Sequence, residues 1–256
     1  MSTPRATLAW FRAWGRAGRF AFAAAAAALS FSAYTARTRA VAMKQVYFGA
    51  WQILPGFTLF AALLSLVVIQ ITITLARGYG LAQFALELVF RAVVMELVPF
   101  LTALYVALRS GAAIVTEVAL MQMSGELDEL RASHIDPYER EFVPRIAASA
   151  ISVFALTIVS SSVVMVIAYL VTYGASPWGF AEYTRTVARV FGPGALAGFM
   201  FKGFVFGVIV AVIPIAAGLD ATRNEKSVPV AVMGGMVRLF VALALIELIA
   251  LAVKYV

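Results

Sequence analysis

Four runs of the chain are almost free of charge, and each is long enough to cross a membrane. They are residues 53–75, 146–173, 196–219 and 228–253. The first two carry no charged residue, the third is interrupted only by Lys202, and the fourth contains Arg238 and Glu247. About 20 mostly apolar residues cross the hydrocarbon core of a bilayer as a helix. The pattern therefore predicts an all-α integral membrane protein. Only 13% of the residues are charged, about half the share of an average soluble domain.

A fifth segment, residues 86–121, is apolar and free of strong turn signals but carries five charged residues: Glu87, Arg91, Glu96, Arg109 and Glu117. Ionisable groups within a membrane are costly and usually face protein or a water-filled cavity. We therefore predict a fifth, partly polar span, kinked by Pro99. Glu87 and Arg91 have the spacing of an ion pair within one helix, whereas Arg109 and Glu117 are each expected to pair with another element.

The composition also excludes several kinds of site. The chain has no cysteine and a single histidine, His134, so a thiolate or histidine-based zinc site is excluded. Its only aspartates are Asp128, Asp136 and Asp220, which disfavours metal-dependent phosphotransfer. No phosphate-binding loop of the type G-x-x-x-x-G-K-[ST] is present. The chain is therefore not expected to hydrolyse ATP by itself.

The N-terminal 44 residues contain seven basic side chains and no acidic one. Cytoplasmic segments next to a membrane are rich in Lys and Arg, so we place this arm in the cytoplasm and expect no nucleic-acid partner. The alternating spans then put residues 78–85 and the loop 174–192 outside, and residues 123–145 and 220–227 inside. Residues 20–34 are too short and alanine-rich for a confident span. They fit an interfacial helix or, less well, a secretory signal peptide.

The inner loop, residues 123–145, carries helix signals of its own. Ser124 can cap a short helix with acidic residues in its first turn, and Leu127 and Leu130 give that helix one apolar side. Asp136 can cap the next helix, with Pro137 at its first position. We predict a short amphipathic helix, residues 124–133, across the mouth of two spans. An ordered surface loop is the alternative.

Two blocks of this region resemble one protein family. ELVPFLTALYVALRSGAAIVTEVALMQMSGELDEL and HIDPYEREFVPRIAA are similar to the MlaE/YrbE/TGD1-like permeases of lipid-transporting ABC systems that work with MCE-domain proteins. The resemblance rests on an ordered set of positions: Glu96, Pro99, Arg109, Gly111, Glu117, Met121, Asp128, Asp136, Pro137, Pro144 and Arg145. The chain departs from the family pattern at Met95 and Val98, and in the glycine-rich segment before the last span.

The resemblance implies one permease domain over residues 1–256. Residues 1–46 would form the basic arm with an interfacial elbow helix, and residues 50–256 the transmembrane region with five helices. Such a permease works in the bacterial inner membrane as a dimer, identical or heteromeric. Its partners are two cytoplasmic ATPase subunits that bind ATP and Mg²⁺, a periplasmic MCE-domain protein and, in some systems, a STAS-domain protein. This chain would carry no cofactor and no catalytic or metal site.

The resemblance also implies roles for individual residues. The short helix would be the coupling helix that contacts the ATPase, through Glu126, Leu127, Asp128, Glu129, Leu130, Arg131 and, beyond it, Asp136. Lys202 would line a lipid cavity and bind a phosphate head group, together with Glu96, Tyr79 and Pro99. The alternative for Lys202 is a structural ion pair with Glu96 or Glu247.

Two other functions compete with the transporter. A non-transporting membrane scaffold for an ATPase would have no cavity near Lys202. A membrane-embedded lipid-modifying enzyme is disfavoured by the missing histidine and aspartate clusters.

Overall fold

The computed structural model describes residues 14–16, 18–21, 53–222 and 227–255, and its regular structure over these ranges is helical. Within them, four helices are long and apolar enough to cross a membrane. We label the α-helices in chain order as α1 Leu54–Gly78, α2 Ala85–Val89, α3 Val98–Val106, α4 Ala112–Ser124, α5 Glu126–Ala132, α6 Val143–Tyr173, α7 Phe180–Val190, α8 Pro193–Leu219 and α9 Ser227–Tyr255.

The four apolar runs in the sequence correspond to α1, α6, α8 and α9, and the ends of these helices follow local backbone chemistry. Helices α1, α6 and α8 each have a proline in the first turn, where the missing N–H is not needed. Gly80 after α1 and Gly174 after α6 have φ values of 73° and 65°, which glycine adopts at little cost. The four apolar runs therefore form helices that are long and apolar enough to cross a membrane, as predicted.

The fifth predicted span is helical but not uniform. Helices α2, α3 and α4 are joined by two π-helical stretches, Phe90–Leu97 and Ala107–Gly111. Pro99 lies in the first turn of α3, directly after the first stretch. π-helical turns are rare and frequently occur at functional sites, and the first one carries Glu96. This segment is not among the four helices apolar enough to cross a membrane, so a fifth span stays a prediction.

Helix α8 lies at the centre of the bundle and packs against α3, α4, α6 and α9. Its approach to α6 depends on Gly207, because a Cβ added there would lie 2.6 Å from Ala150 Cα and 2.9 Å from the Ala150 carbonyl oxygen. Ser149 Oγ also donates a hydrogen bond to the Gly207 carbonyl oxygen at 2.9 Å. The two backbones are therefore in direct contact, and α8 has little freedom to shift relative to α6.

The loop predicted between α6 and α8 contains an additional amphipathic helix, α7, which the hydropathy pattern missed. Tyr183, Val187 and Val190 pack against the core around Phe90, while the charged side chains of α7 are exposed. The Tyr183 hydroxyl donates a hydrogen bond to the Met165 carbonyl oxygen at 2.9 Å, and burial raises the pKa of Tyr183 to about 12. Helix α7 is therefore a fixed part of the bundle.

Candidate functional site

Four charged side chains form a continuous chain of ion pairs between three elements of the bundle. Lys202 Nζ lies 2.5 Å from Glu96 Oε2 and 2.6 Å from Glu247 Oε2. The other carboxylate oxygen of Glu96 lies 2.5 Å from Lys254 Nζ. The order is Glu247, Lys202, Glu96, Lys254, so signs alternate and the four formal charges cancel. We call these four residues the charge cluster.

Lys202 is buried and its two carboxylate partners are mostly buried, so these charges require pairing, whereas Lys254 lies at the more exposed end of the charge cluster. The side chains of Lys202, Glu96 and Glu247 are 8%, 14% and 15% exposed, and that of Lys254 is 27% exposed. Charges removed from water are costly unless opposite charges and hydrogen bonds compensate for the loss of hydration. A carboxylate bound to an ammonium on each side meets that condition, and Glu96 is the member with two cationic partners.

The positions of these residues follow from helix geometry. Lys202 lies on α8 and Glu96 on the first π-helical stretch. Glu247 and Lys254 are seven residues apart on α9, which is close to two full turns, so both face the same neighbours. The charge cluster therefore joins α8, α9 and the π-helical stretch through side chains. By contrast, α8 and α6 meet through their backbones at Gly207.

A cavity of about 590 Å³ lies beside the charge cluster. Most of its wall is apolar, and the charged residues of the described lining are Arg91, Glu96, Lys202 and Lys254. Its apolar and glycine lining consists of Met95, Gly194, Ala195, Gly198, Phe199, Phe201, Val205, Ile246, Ile249, Ala250 and Val253. Pockets for small molecules typically measure about 300–1,000 Å³ and combine an apolar wall with few polar groups. The cavity can therefore hold an amphipathic molecule with its polar end at the charge cluster.

The cavity lies at the end of the bundle where α8 begins and α9 ends. Arg91 is bound there to Glu87 at 2.9 Å, which confirms the ion pair predicted from their spacing. Glu87 also lies 3.7 Å from Arg189 of α7. Beside the cavity, one acidic side chain, Glu87, is therefore shared by two basic ones.

The structure brings together only two of the four residues predicted to contact a ligand. Lys202 and Glu96 line the cavity and bind each other, so the structural ion pair considered for Lys202 is present, with Glu247 as a second carboxylate partner. Binding of a lipid head group by Lys202 stays a prediction. Pro99 is buried one turn beyond Glu96, and Tyr79 is 79% exposed after the end of α1; neither is among the cavity-lining residues.

Sequence reasoning missed Lys254 as a member of the site. The available signal was its spacing from Glu247, because a Lys two turns after a Glu within an apolar helix lies on the same face. The residue was overlooked because it follows the last apolar run, in a position typical of a membrane-end anchor.

The predicted short amphipathic helix is present at the opposite end of the bundle as α5, which covers residues 126–132 rather than 124–133. Its role as the contact for an ATPase stays a prediction. The N-cap residue of α5 is Gly125 and not Ser124 as predicted, although Ser124 Oγ accepts a hydrogen bond from the Glu126 backbone N–H at 3.5 Å. Ser124 ends α4, and Gly125 precedes α5 with a φ of 82°, a conformation that suits glycine. The predicted cap at Asp136 is confirmed, since its Oδ1 accepts a hydrogen bond from the Tyr138 backbone N–H at 2.9 Å.

The residues of α5 divide between the core and the surface. Leu127 is 1% exposed and belongs to a cluster with Phe142 and Ile215, and Leu130 packs against the same cluster. Four charged side chains face outward: Glu126, Asp128, Glu129 and Arg131. Leu127 therefore holds α5 on the bundle and is not available to a partner, whereas the charged face is.

Further ion pairs connect α5 and its surroundings to the rest of the chain. Glu117 binds Arg145 at 2.5 Å across the α4–α6 boundary, as expected for pairing with another element. Arg109 is exposed, and its expected pairing stays a prediction.

The described part of the N-terminal arm contacts the same end of the bundle. Arg16 Nε donates a hydrogen bond to Asp220 Oδ1 at 2.6 Å, and Arg238 binds the other oxygen of Asp220 at 3.3 Å. The hydrogen bond with Asp220 raises the pKa of Arg16. The Phe20 ring packs against Tyr138 and Phe142, with 5.6 Å between centroids in both cases. The predicted interfacial helix, residues 20–34, lies outside the described residues except for its first two.

Comparisons with known proteins find a matching family model and several related permeases. A family model described as "Permease MlaE" matches residues 42–253. The chain is 32% identical over 136 residues to a probable ABC transporter permease of Synechocystis, covering 52% of this chain and 51% of the relative. It is 30% identical over 151 residues to the chloroplastic protein TRIGALACTOSYLDIACYLGLYCEROL 1 of Arabidopsis thaliana, covering 57% and 43%.

A third relative is the intermembrane phospholipid transport system permease protein MlaE of Haemophilus influenzae. It is 32% identical over 154 residues, covering 58% of this chain and 56% of the relative. The chain therefore spans about half the length of these three relatives.

Proposed function

This chain belongs to the MlaE permease family, and we propose that it is the membrane-spanning subunit of an ABC transporter for phospholipid. It would move the lipid between the bacterial inner membrane and a periplasmic MCE-domain carrier. ATP hydrolysis would take place on separate cytoplasmic subunits, and this chain would do no chemistry on its cargo. The names of the relatives from Haemophilus influenzae and Synechocystis support phospholipid transport and an ABC system respectively.

The observation that carries the proposal is the apolar cavity with the charge cluster on its wall. A phospholipid has apolar acyl chains and a charged headgroup, so its two parts match the two parts of the lining. A scaffold without transport activity has no need of such a cavity, and its presence beside Lys202 favours the transporter. The wall formed by α8 and α9 would be completed by a second permease, identical or related.

The charged face of α5 is the proposed contact for the ATPase. Asp128 and Arg131 form an exposed ion pair at 2.9 Å, and Glu126 and Glu129 are exposed beside it. Because Leu127 anchors α5 to the core, a force applied to this face would be transmitted to the bundle. A STAS-domain protein, where present, would act on the ATPase and not on this chain.

The lipid-binding proposal is tested by filling the cavity. Gly198 lines it, and a Cβ at this position would meet no atom within 4 Å, so Gly198→Trp can occupy the cavity without displacing the backbone. The matched control is Gly78→Trp, which also has open space around it but lies at the end of α1, outside the lining.

The protein would be purified with its associated subunits in nanodiscs that contain a phospholipid with a photoreactive acyl chain. We expect cross-links on α8 and α9 in the wild type and the Gly78→Trp variant, and their loss in Gly198→Trp. Equal cross-linking of α8 and α9 in all three proteins would contradict binding in this cavity.

A further inference from the structure

The charge cluster is electrically neutral, and this limits which headgroup it can accept. Glu96 and Glu247 balance Lys202 and Lys254. The remaining charged residue of the described lining, Arg91, is paired with Glu87, which it shares with Arg189 of α7. A ligand with no net charge leaves the balance of the charge cluster intact, whereas an anionic ligand adds a negative charge to it, and both of its lysines already bind carboxylates.

Glu96 occupies the position that a lipid phosphate would need. Its two oxygens bind Lys202 and Lys254, both at 2.5 Å, as a phosphate with two oxygens would. Lys202 is further held by Glu247 at 2.6 Å. A phosphate that enters between the two ammonium groups must therefore take one or both of them from Glu96.

The displaced carboxylate then needs a cation of its own. Glu96 is 14% exposed and lies beside an apolar wall, where an unpaired charge is unfavourable. A primary ammonium on the headgroup can donate hydrogen bonds to Glu96 while the phosphate of the same headgroup binds the lysines. A headgroup with a phosphate and hydroxyl groups alone supplies no such cation.

We propose that the cavity selects phospholipids whose headgroup carries both a phosphate and a primary ammonium, and that Glu96 determines this specificity. The inference rests on the proposed function, because it assumes that a phospholipid enters the cavity. Glu96 serves as the internal anion of the empty cavity, and it becomes the acceptor for the headgroup ammonium when lipid is bound. Binding is thus an exchange of ion pairs with no change in net charge.

The test compares phosphatidylethanolamine with phosphatidylglycerol, which share the phosphate and differ in the ammonium. The purified complex in nanodiscs of phosphatidylcholine is given a photoreactive phosphatidylethanolamine, and unlabelled lipids of the two kinds compete for cross-linking to α8 and α9. We expect phosphatidylethanolamine to compete about tenfold more effectively, equivalent to about 1.4 kcal/mol.

Variants separate a role of Glu96 in selectivity from a role in folding. Glu96→Gln removes the acceptor charge and should reduce the preference to less than about threefold, whereas Glu96→Asp keeps a carboxylate and should retain part of it. The control Glu182→Gln removes an exposed carboxylate of α7 outside the cavity lining and should keep the full preference. Even if Glu96→Gln fails to fold, the competition between the two lipids on the wild type still tests whether the cavity prefers phosphatidylethanolamine.

The outcomes distinguish this inference from the proposed function. Equal competition by the two lipids, or stronger competition by phosphatidylglycerol, would overturn headgroup selection while leaving lipid transport intact. If Glu96→Gln kept the full preference for phosphatidylethanolamine, Glu96 would not be the residue that determines headgroup specificity. Absence of any cross-link to α8 and α9 would instead reject the cavity as a lipid site, and with it the proposed function.

Discussion

Replacement of Lys202 by methionine should destabilise the protein through the charges it leaves behind. Met has a similar length and volume but cannot bind the two carboxylates that Lys202 holds at 2.5 and 2.6 Å. Glu96 would keep Lys254 as a partner, whereas Glu247 would lose the cation beside it. The cost should therefore come mainly from one carboxylate that is 15% exposed.

Removal of one partner from a buried ion pair costs about 3–5 kcal/mol, because the other charge stays buried without compensation. The residual exposure of Glu247 favours the lower end, so we expect Lys202→Met to lower the free energy of unfolding by about 3 kcal/mol. The double variant Lys202→Met/Glu247→Gln removes both charges. It should recover most of this loss and lie within about 1 kcal/mol of the wild type, since neutral replacement of a buried pair is often tolerated.

The measurement is the free energy of unfolding in mixed detergent micelles, for the wild type, the two single variants and the double variant. Arg131→Met is the control for loss of an ion pair as such. Its pair with Asp128 is about half exposed and should contribute less than about 1 kcal/mol. A double variant as unstable as Lys202→Met would show that the charge cluster stabilises the fold by packing alone and would refute the electrostatic argument.

Three further changes test other parts of the molecule. Gly207→Ala should lower the free energy of unfolding by about 1–3 kcal/mol, because the added Cβ meets the backbone of α6. Gly198→Ala in the same helix should leave the free energy of unfolding unchanged. Equal stability of the two variants in the same unfolding assay would contradict close contact of α6 and α8. Asp220→Asn should lower the thermal stability more than Arg16→Ala does, because Asp220 binds two arginines and Arg16 is half exposed. A lower unfolding temperature for Arg16→Ala than for Asp220→Asn would contradict this ranking. Charge reversal of Asp128 and Glu129 should abolish co-purification of the ATPase, and unchanged recovery would remove α5 as its contact.

The membrane helices could be predicted because their signal is local. A long run with almost no charge specifies a helix in a bilayer whatever its neighbours are, and residues 146–173 and 196–219 correspond closely to α6 and α8. The Glu87–Arg91 pair and the Asp136 cap were predictable for the same reason, since each depends on residues within one turn.

The composition of the site was harder to predict because it depends on contacts between distant segments. Lys202 and Glu96 stand out as costly charges in apolar runs, but they are 106 residues apart in sequence, and nothing local shows that they meet. Helix α7 was missed because its apolar face packs against other residues of the bundle, Phe90 and Tyr169 among them, and does not face the membrane. Such a helix does not need a long apolar run. The π-helical stretch that carries Glu96 likewise has no signature in composition.

The two sides of α8 are held by different kinds of contact, and this bears on how the cavity could open. Against α6, the backbone meets backbone at Gly207 and no side chain can adjust. At the cavity end, the charge cluster connects α8 to α9 and to the π-helical stretch, and ion pairs can exchange partners there without a change in packing. Towards the other end, α8 and α9 pack closely at Ala217 and Gly235. Helices α6 and α8 should therefore move as one body, so any widening of the cavity would take place at the charge cluster. The headgroup would then bind at the interface that moves, which is where lipid occupancy can influence the conformation of the bundle.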